Sequence, residues 1–166
     1  MYVVRFKDKS LEKRVYDYIQ ENSEVEIFLG LIGFLRGSGT KDIEYMINDV
    51  IPFPNLSLRP QETVIVPQVW YETLTMYIRL KFRKANSIHR PLGCLHSHPG
   101  EIPLPTPHDK NFAKALAKDA GNALMVIVGN NNLMYAYRAA TDNDMEKIRV
   151  HSNYFRVRTR PKKNRL

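Results

Sequence analysis

The chain is poor in cysteine, lacks a long apolar run and is short of acidic charge. Each shortage narrows what it can be. Cys94 is its only cysteine, which excludes an internal disulfide and fits a reducing compartment. No uninterrupted apolar stretch is long enough to span a bilayer. The opening MYVVRFKDKS carries charge where a secretory leader needs its apolar segment. A cytoplasmic protein without a membrane partner is therefore expected. No glycine-rich phosphate loop or dinucleotide fingerprint follows a strand pattern, which argues against a nucleotide enzyme. No G-x-S-x-G elbow occurs either, which argues against a Ser-His-Asp hydrolase.

Against 17 Asp and Glu stand 25 Lys and Arg, a net charge of +8. Much of the excess lies in the final FRVRTRPKKNRL. Such a segment reads as a solvated end, or as a contact for an acidic protein. Nucleic acid is not the expected partner, because no module with stacking aromatics or a recognition helix accompanies the charge. With 166 residues the chain fits one domain with a real core. That domain is expected over residues 1–150, followed by a final strand and basic tail over 151–166.

Hydrophobic periodicity supplies the elements. YVVRF suggests a short strand, and Leu11, Val15, Tyr18 and Ile19 share one face of a helix for which Ser10 is a plausible N-cap. VEIFLGLIGFL is too apolar for a surface strand and reads as a central one. A turn at Gly37, Ser38 and Gly39 leads to IEYMINDVIPF, a second strand. Prolines 52, 54 and 60 mark a loop, TVIVP a short strand, and Gln68 to about Arg83 a helix with Trp70, Leu74, Tyr77 and Ile78 on one face. After the connector 85–90, PLGCLHSHP is a strand ending in histidines. Thr106 and Pro107 open a helix as N-cap and first residue, and Gly121 stops it. ALMVIVG and LMYAYRA pair across NNN, and RVHSNYFRVR adds a last strand. The expected fold is α/β, a mostly antiparallel sheet with helices packed on it.

The chemistry concentrates in HSHPGEIPLPTPHD. His96 and His98 alternate to the same side of a strand, so both imidazoles can reach one ion. Asp109, in the first turn of the next helix, can supply a third ligand, the number a catalytic zinc site takes from protein. Three prolines in the loop before Asp109 restrict the unfolded chain and lower the entropic cost of bringing the ligands together. An H-x-H pair alone is a weak signal, and Thr-Pro-x-Asp alone is only a capped helix start. The combination, in this order and setting, is specific.

This H-x-H-x10-D spacing, with Pro after the second histidine and a hydroxyl residue three before the aspartate, resembles the signature of JAMM (MPN+) metalloproteases. The likeness in element order covers about residues 3–140. It implies an MPN (cytidine-deaminase-like) domain with a mostly antiparallel curved sheet packed with helices. It implies that His96, His98 and Asp109 hold Zn2+, and that Thr106 stands in the family's serine position, steadying the oxyanion, capping the helix, or both. It implies a glutamate base near the start of the first core strand. Glu26 with Gly33 fits that pattern, although Leu29 is larger than the family's small residue; Glu24 is a fallback, and aligning on Gly33 and Gly37 puts Gly30 there and leaves no base. The activity implied is hydrolysis of ubiquitin-like protein conjugates or processing of their C-termini, in a family where many members pair into dimers. Two other readings stay open: a non-catalytic scaffold, and a metallohydrolase that releases an amino acid from a small conjugate. Cys94, on the histidines' strand face, and His108 are further candidates for the site.

Overall fold

The computed structural model describes residues 1–37, 42–83, 87–140 and 145–158. Ser38 and Gly39 of the expected turn, part of the connector 85–90 and the tail from Thr159 lie outside the described residues. Within them the order is β1 (Tyr2–Phe6), α1 (Lys9–Glu21), β2 (Phe28–Gly37), β3 (Ile43–Phe53), α2 (Trp70–Lys81), β4 (Arg90–Ser97), α3 (Pro107–Ala120), β5 (Asn122–Val128), β6 (Met134–Ala140) and β7 (Glu146–His151). A single 3-10 turn, Asn130–Asn132, joins β5 to β6. Among the described residues no helix is long and apolar enough to cross a membrane.

The strands form a closed barrel in the order β1-β3-β2-β4-β5-β6-β7, with β7 returning to β1. This corrects the expected architecture: the sheet is not the open, curved MPN layer packed between helices. The difference comes from β1. It lies parallel to β3 on one side, Tyr2 opposite Ile43 through Phe6 opposite Ile47, and parallel to β7 on the other. The β4–β5 pair is parallel as well, so the barrel is mixed. A five-residue apolar segment does not disclose that both of its edges will be filled, so its sequence looks like that of an edge strand.

Alternation along the strands makes two cores. Leu29, Leu31, Leu95 and Val126 belong to one cluster, which α1 joins through Leu11, Val15 and Ile19. Phe28, Cys94 and Ile127 belong to the other, which receives Trp70, Leu74 and Ile78 of α2 and Ala113 and Ala117 of α3. The two faces of one sheet are thus both apolar, as the unbroken hydrophobicity of β2 requires. Gly93 allows β4 and β5 to meet: its φ is +145°, and a Cβ there would lie 1.8 Å from the Leu124 carbonyl oxygen.

β2 begins at Phe28 rather than Val25, and β4 ends at Ser97, short of His98; three further local expectations are corrected. The cap of α1 is Asp8, whose carboxylate accepts from Leu11 N at 2.8 Å, rather than Ser10. TVIVP forms no strand. It wraps around Asn55, whose side chain accepts from Ile65 N and donates to the Thr63 carbonyl, so a side-chain amide replaces the strand partner. The last strand ends at His151, earlier than RVHSNYFRVR suggests, and Arg156 meets the barrel by a bridge to Leu133.

Two buried carboxylates brace the helices. Asp49 of β3 receives Arg14 of α1 at 2.9 Å, Tyr77 of α2 at 2.9 Å, and Lys81 of α2. Burial would raise its carboxyl, but the hydrogen bonds from Lys81, Tyr77 and Val50 N outweigh it and hold the carboxyl below its usual range. Glu12 of α1 accepts from Asn153 N and Nδ2 at 2.7 Å each, from Tyr154 N at 3.1 Å, and from the Ser152 hydroxyl.

Candidate metal centre

The end of β4 faces α2 and α3, on the side of the sheet occupied by Phe28 and Cys94. There the sequence places His96 opposite Phe28 in the β2–β4 register. His98 follows just beyond the strand, its N–H bonded to the Val128 carbonyl at 2.8 Å. The two imidazoles turn Nε2 toward Nε2 at 3.1 Å. Asp109 completes the group: Oδ1 is 3.2 Å from His96 Nε2, and Oδ2 is 3.4 Å from His98 Nε2. All three side chains are buried.

Asp109 arrives by a pinned route. The Glu101 carbonyl accepts from Asn130 N at 2.7 Å, and the Pro103 carbonyl from the Tyr137 hydroxyl at 3.0 Å. Burial pushes the Tyr137 phenol up to about 12, so it remains a donor. Gly129 allows this docking, since a Cβ there would stand 2.3 Å from the Glu101 oxygen and 2.6 Å from Pro103 Cδ. The loop then enters α3 through a capping box: Thr106 Oγ1 accepts from Asp109 N at 3.2 Å, and Asp109 Oδ2 accepts from Thr106 N at 2.7 Å. The Thr106 hydroxyl donates its one proton to the same Oδ2 at 2.8 Å. That leaves Oδ1 as the carboxylate oxygen without these commitments.

This geometry suits a small divalent cation. Nitrogen and oxygen ligands at the usual distances from a tetrahedral zinc lie about 3.3 Å from one another; His96 Nε2 stands 3.1 Å from His98 Nε2 and 3.2 Å from Asp109 Oδ1, while Asp109 meets His98 through its other oxygen, Oδ2, at 3.4 Å. The donor set, two neutral-capable imidazoles and one carboxylate, is one that zinc accepts. The three side chains also act on one another's charge. Burial would raise the Asp109 carboxyl, but hydrogen bonds from His96, His98 and the Thr106 backbone outweigh it and keep it ionised well below the usual range. For His98, burial lowers the pKa and Asp109 more than restores it.

Glu26 is buried within electrostatic reach of His98 and Asp109. Burial, above all, pushes its carboxyl up to about 7; the charge of His98 opposes that, and those of Asp109 and Glu101 add to it. Its backbone is held from the loop side, with N–H to the Pro60 carbonyl at 2.6 Å and its carbonyl accepting from Asn55 Nδ2 at 2.9 Å. Ser97 holds the neighbouring segment: its hydroxyl accepts from Ile27 N at 3.0 Å and donates to the Val25 carbonyl at 3.4 Å. The residue between the two histidines thus ties the β2 entrance to the β4 exit. Strand alternation assigns Ser97 a structural role but does not reveal this partner. Sequence reasoning also misses Asn55, Gly129 and Tyr137, for which only the turn-forming asparagine after Pro54 offers a signal.

The other candidates do not join the ligands. Glu24 is exposed. Gly30 faces Leu74 of α2, whose side chain would lie 2.7 Å from an added Cβ, so a carboxylate has no room there. Cys94 is buried, and burial with the nearby Asp109 charge pushes its thiol far up, away from the thiolate a metal needs. His108 is exposed. Beside His98 a cleft of about 360 Å3 opens between Pro99–Gly100, the Asn130–Asn132 turn, Gln20 near the end of α1 and Ser23 just after it.

Thr106→Ala is expected to destabilise the fold by about 1 kcal/mol through the lost cap, with Thr106→Ser close to wild type. Denaturant unfolding measures both. An unfolding midpoint unchanged in Thr106→Ala would show that Asp109 and Pro107 alone define the start of α3.

The solution structure of a protein from Desulfitobacterium hafniense is similar over its whole length, at 17% identity, covering 99% of this chain and 97% of that one with a TM-score of 0.61. Identity that low speaks for the fold alone. No family model matches the chain, and no curated protein does.

Proposed function

We propose that this barrel is a zinc-dependent isopeptidase or peptidase of the JAMM type, hydrolysing conjugates of ubiquitin-like proteins or processing their C-termini. The observation that carries the reading is the buried cluster of His96, His98 and Asp109, with Glu26 buried within the field of His98 and Asp109. Two imidazoles and a carboxylate alone describe a metal site; a second, proton-exchanging carboxyl beside them describes a hydrolytic one.

His96, His98 and Asp109 would hold the ion. Bound there, zinc would polarise the scissile carbonyl and lower the pKa of a water towards about 7. Glu26 accepts a proton from the attacking water and returns it to the departing amine. A group that titrates near the working pH can do both within one turnover. Thr106 keeps Asp109 oriented through its hydroxyl proton. If it also meets the oxyanion, it must first release that proton from Oδ2.

The surroundings support a polypeptide substrate over a small conjugate. Leu56, Leu58 and Ile65 are exposed on the loop that holds the Glu26 backbone, and Ile102 and Leu104 on the loop between the ligands. An extended protein tail can cover such side chains, while a small polar conjugate leaves most of them wet. The net charge of +8 favours an acidic partner domain. The test is cleavage of a linear ubiquitin-like fusion and an isopeptide-linked conjugate. Cleavage should stop with chelator and return with added zinc. Fully zinc-loaded protein that cleaves neither would be a scaffold that keeps its metal without hydrolysis.

A further inference from the structure

At the end of the barrel away from the histidines a second cavity opens, of about 300 Å3. Asn122 starts β5, whereas His96 pairs with Ile127 further along that strand, so roughly 16 Å of β5 separates the two places. The rings of Tyr2 and Tyr45 wall the cavity together with Leu35 and Ile43, and Asn122 and Arg138 supply its polar groups. The Arg138 guanidinium lies over the Tyr2 ring, 4.2 Å from its centre. Its Nε is buried without a hydrogen-bond partner, and it enters no ion pair among the described residues. The carboxylates of the neighbouring strands do not serve it. Glu44 receives Arg5 and Arg36, and Asp42 receives the amino terminus. Glu146, opposite Arg138 in the β6–β7 register, is exposed and forms no ion pair with it. The Tyr45 hydroxyl donates to Asn122 Oδ1 at 3.2 Å, which leaves the Asn122 amide nitrogen as a donor. Burial raises the Tyr45 phenol, and the charges of Arg138 and Arg90 oppose it, so two cations act on this spot.

We propose that this cavity binds a small organic carboxylate, with its charge on Arg138 and its apolar body against Tyr2, Leu35 and Ile43. A half-buried cation without a counter-charge is costly to the fold, and an anion that reaches it recovers that cost. The planar guanidinium matches a carboxylate in geometry, and the Asn122 amide adds a further donor beside it. Charge and wall together choose the ligand. One guanidinium balances one negative charge. A phosphate group, with more charge and more oxygens, calls for a second cation or a nest of backbone N–H groups, and Arg90 is not among the residues that line the cavity. A bare inorganic anion would also leave the aromatic and aliphatic walls wet. The volume stands at the small end of ligand pockets, so the body is a single ring or a short branched chain. The site is separate from the metal centre and does not depend on what that centre does.

Benzoate titrated into the full chain and followed by two-dimensional NMR reads the result. The Arg138 Nε–H and Asn122 side-chain signals should shift and saturate, with a Kd of about a millimolar or below, the range open to a ligand of so few heavy atoms. Benzamide has the same shape without the charge and should bind at least about tenfold more weakly, as should inorganic phosphate. Arg138→Gln should weaken benzoate by about tenfold or more. Asn122→Asp makes the same test with Arg138 in place. Its carboxylate supplies the missing counter-charge from the wall, so benzoate binding should be lost while the thermal midpoint rises. Repeating the titration in chelator should give the same Kd. Shifts that do not saturate, or that gather at His98 instead, overturn the proposal. Benzamide binding as well as benzoate, phosphate binding more tightly, or an Asn122→Asp protein that keeps the wild-type affinity overturns it too.

Discussion

Glu26→Gln should leave zinc and fold in place while hydrolysis of a ubiquitin-like substrate falls by about 10²–10⁴-fold, the usual contribution of a positioned general acid–base group. Glutamine keeps the size and most of the hydrogen bonding, and the main-chain bonds to Pro60 and Asn55 do not depend on the carboxyl. What it loses is the ability to take up a proton. The loss should appear in kcat, with KM little changed, because the group acts on the reacting water and the departing amine rather than on the substrate's tail. Steady-state rates beside metal analysis of the same samples decide the matter. A Glu26→Gln variant that turns over like wild type would move the base elsewhere. It could not move to the two positions that the sequence leaves as substitutes, since Glu24 is exposed and Gly30 is covered by Leu74.

Zinc content should drop from about one per chain to none in His96→Ala and in His98→Ala, as expected when a three-ligand site loses one donor. The two substitutions should differ in a second respect. Both take a hydrogen-bonding neighbour from a buried, ionised Asp109, but Oδ2, on the His98 side, keeps Thr106 N and Oγ1, whereas Oδ1, on the His96 side, has no such substitute. His96→Ala should therefore cost the metal-free fold more, on the order of 1–3 kcal/mol. Elemental analysis of dialysed protein reads the first effect, and denaturant unfolding in chelator reads the second. Full zinc occupancy in the double variant would show that the ion binds somewhere other than between these three side chains.

The cluster of His96, His98 and Asp109 is legible from the sequence because its geometry is local at each step. His96 sits near the end of β4 with His98 one residue past it, close enough to keep the strand's alternation, and Thr106-Pro107 opens a helix with Asp109 in its first turn. Glu26 is legible only as one of several alignments. What singles it out is burial within the field of His98, between the segment leading into β2 and the one leaving β4, which no spacing within one segment encodes. The three α-helices and all seven strands leave traces in the hydrophobic period. Closure of the barrel leaves none. It depends on β1 accepting β3 and β7 together, and on glycine at 93 admitting the parallel β5. Parallel partners far apart in the chain carry no turn between them, so neither loop length nor turn residues announce them. Asn55 misleads for a related reason: TVIVP has strand composition, but the Asn55 side chain takes its Thr63 carbonyl and Ile65 N–H.

The seam between β1 and β7 also sets the order of events when the chain is made. β1 leaves the ribosome well before β7, yet Val3 pairs with Arg149 and Arg5 with His151. The Glu12 carboxylate likewise waits for Ser152, Asn153 and Tyr154 to satisfy it. Until β7 emerges, β1 and β3 can join, but one edge of β1 keeps open backbone groups beside an apolar interior. Contacts of this sequence separation form slowly, because the whole intervening chain must be closed as a loop before they return any free energy. A nascent chain of this protein therefore carries a sticky edge for most of its synthesis. Charged Arg5 and Lys7, on and just after that first strand, are well placed to keep it from pairing with another chain in the meantime.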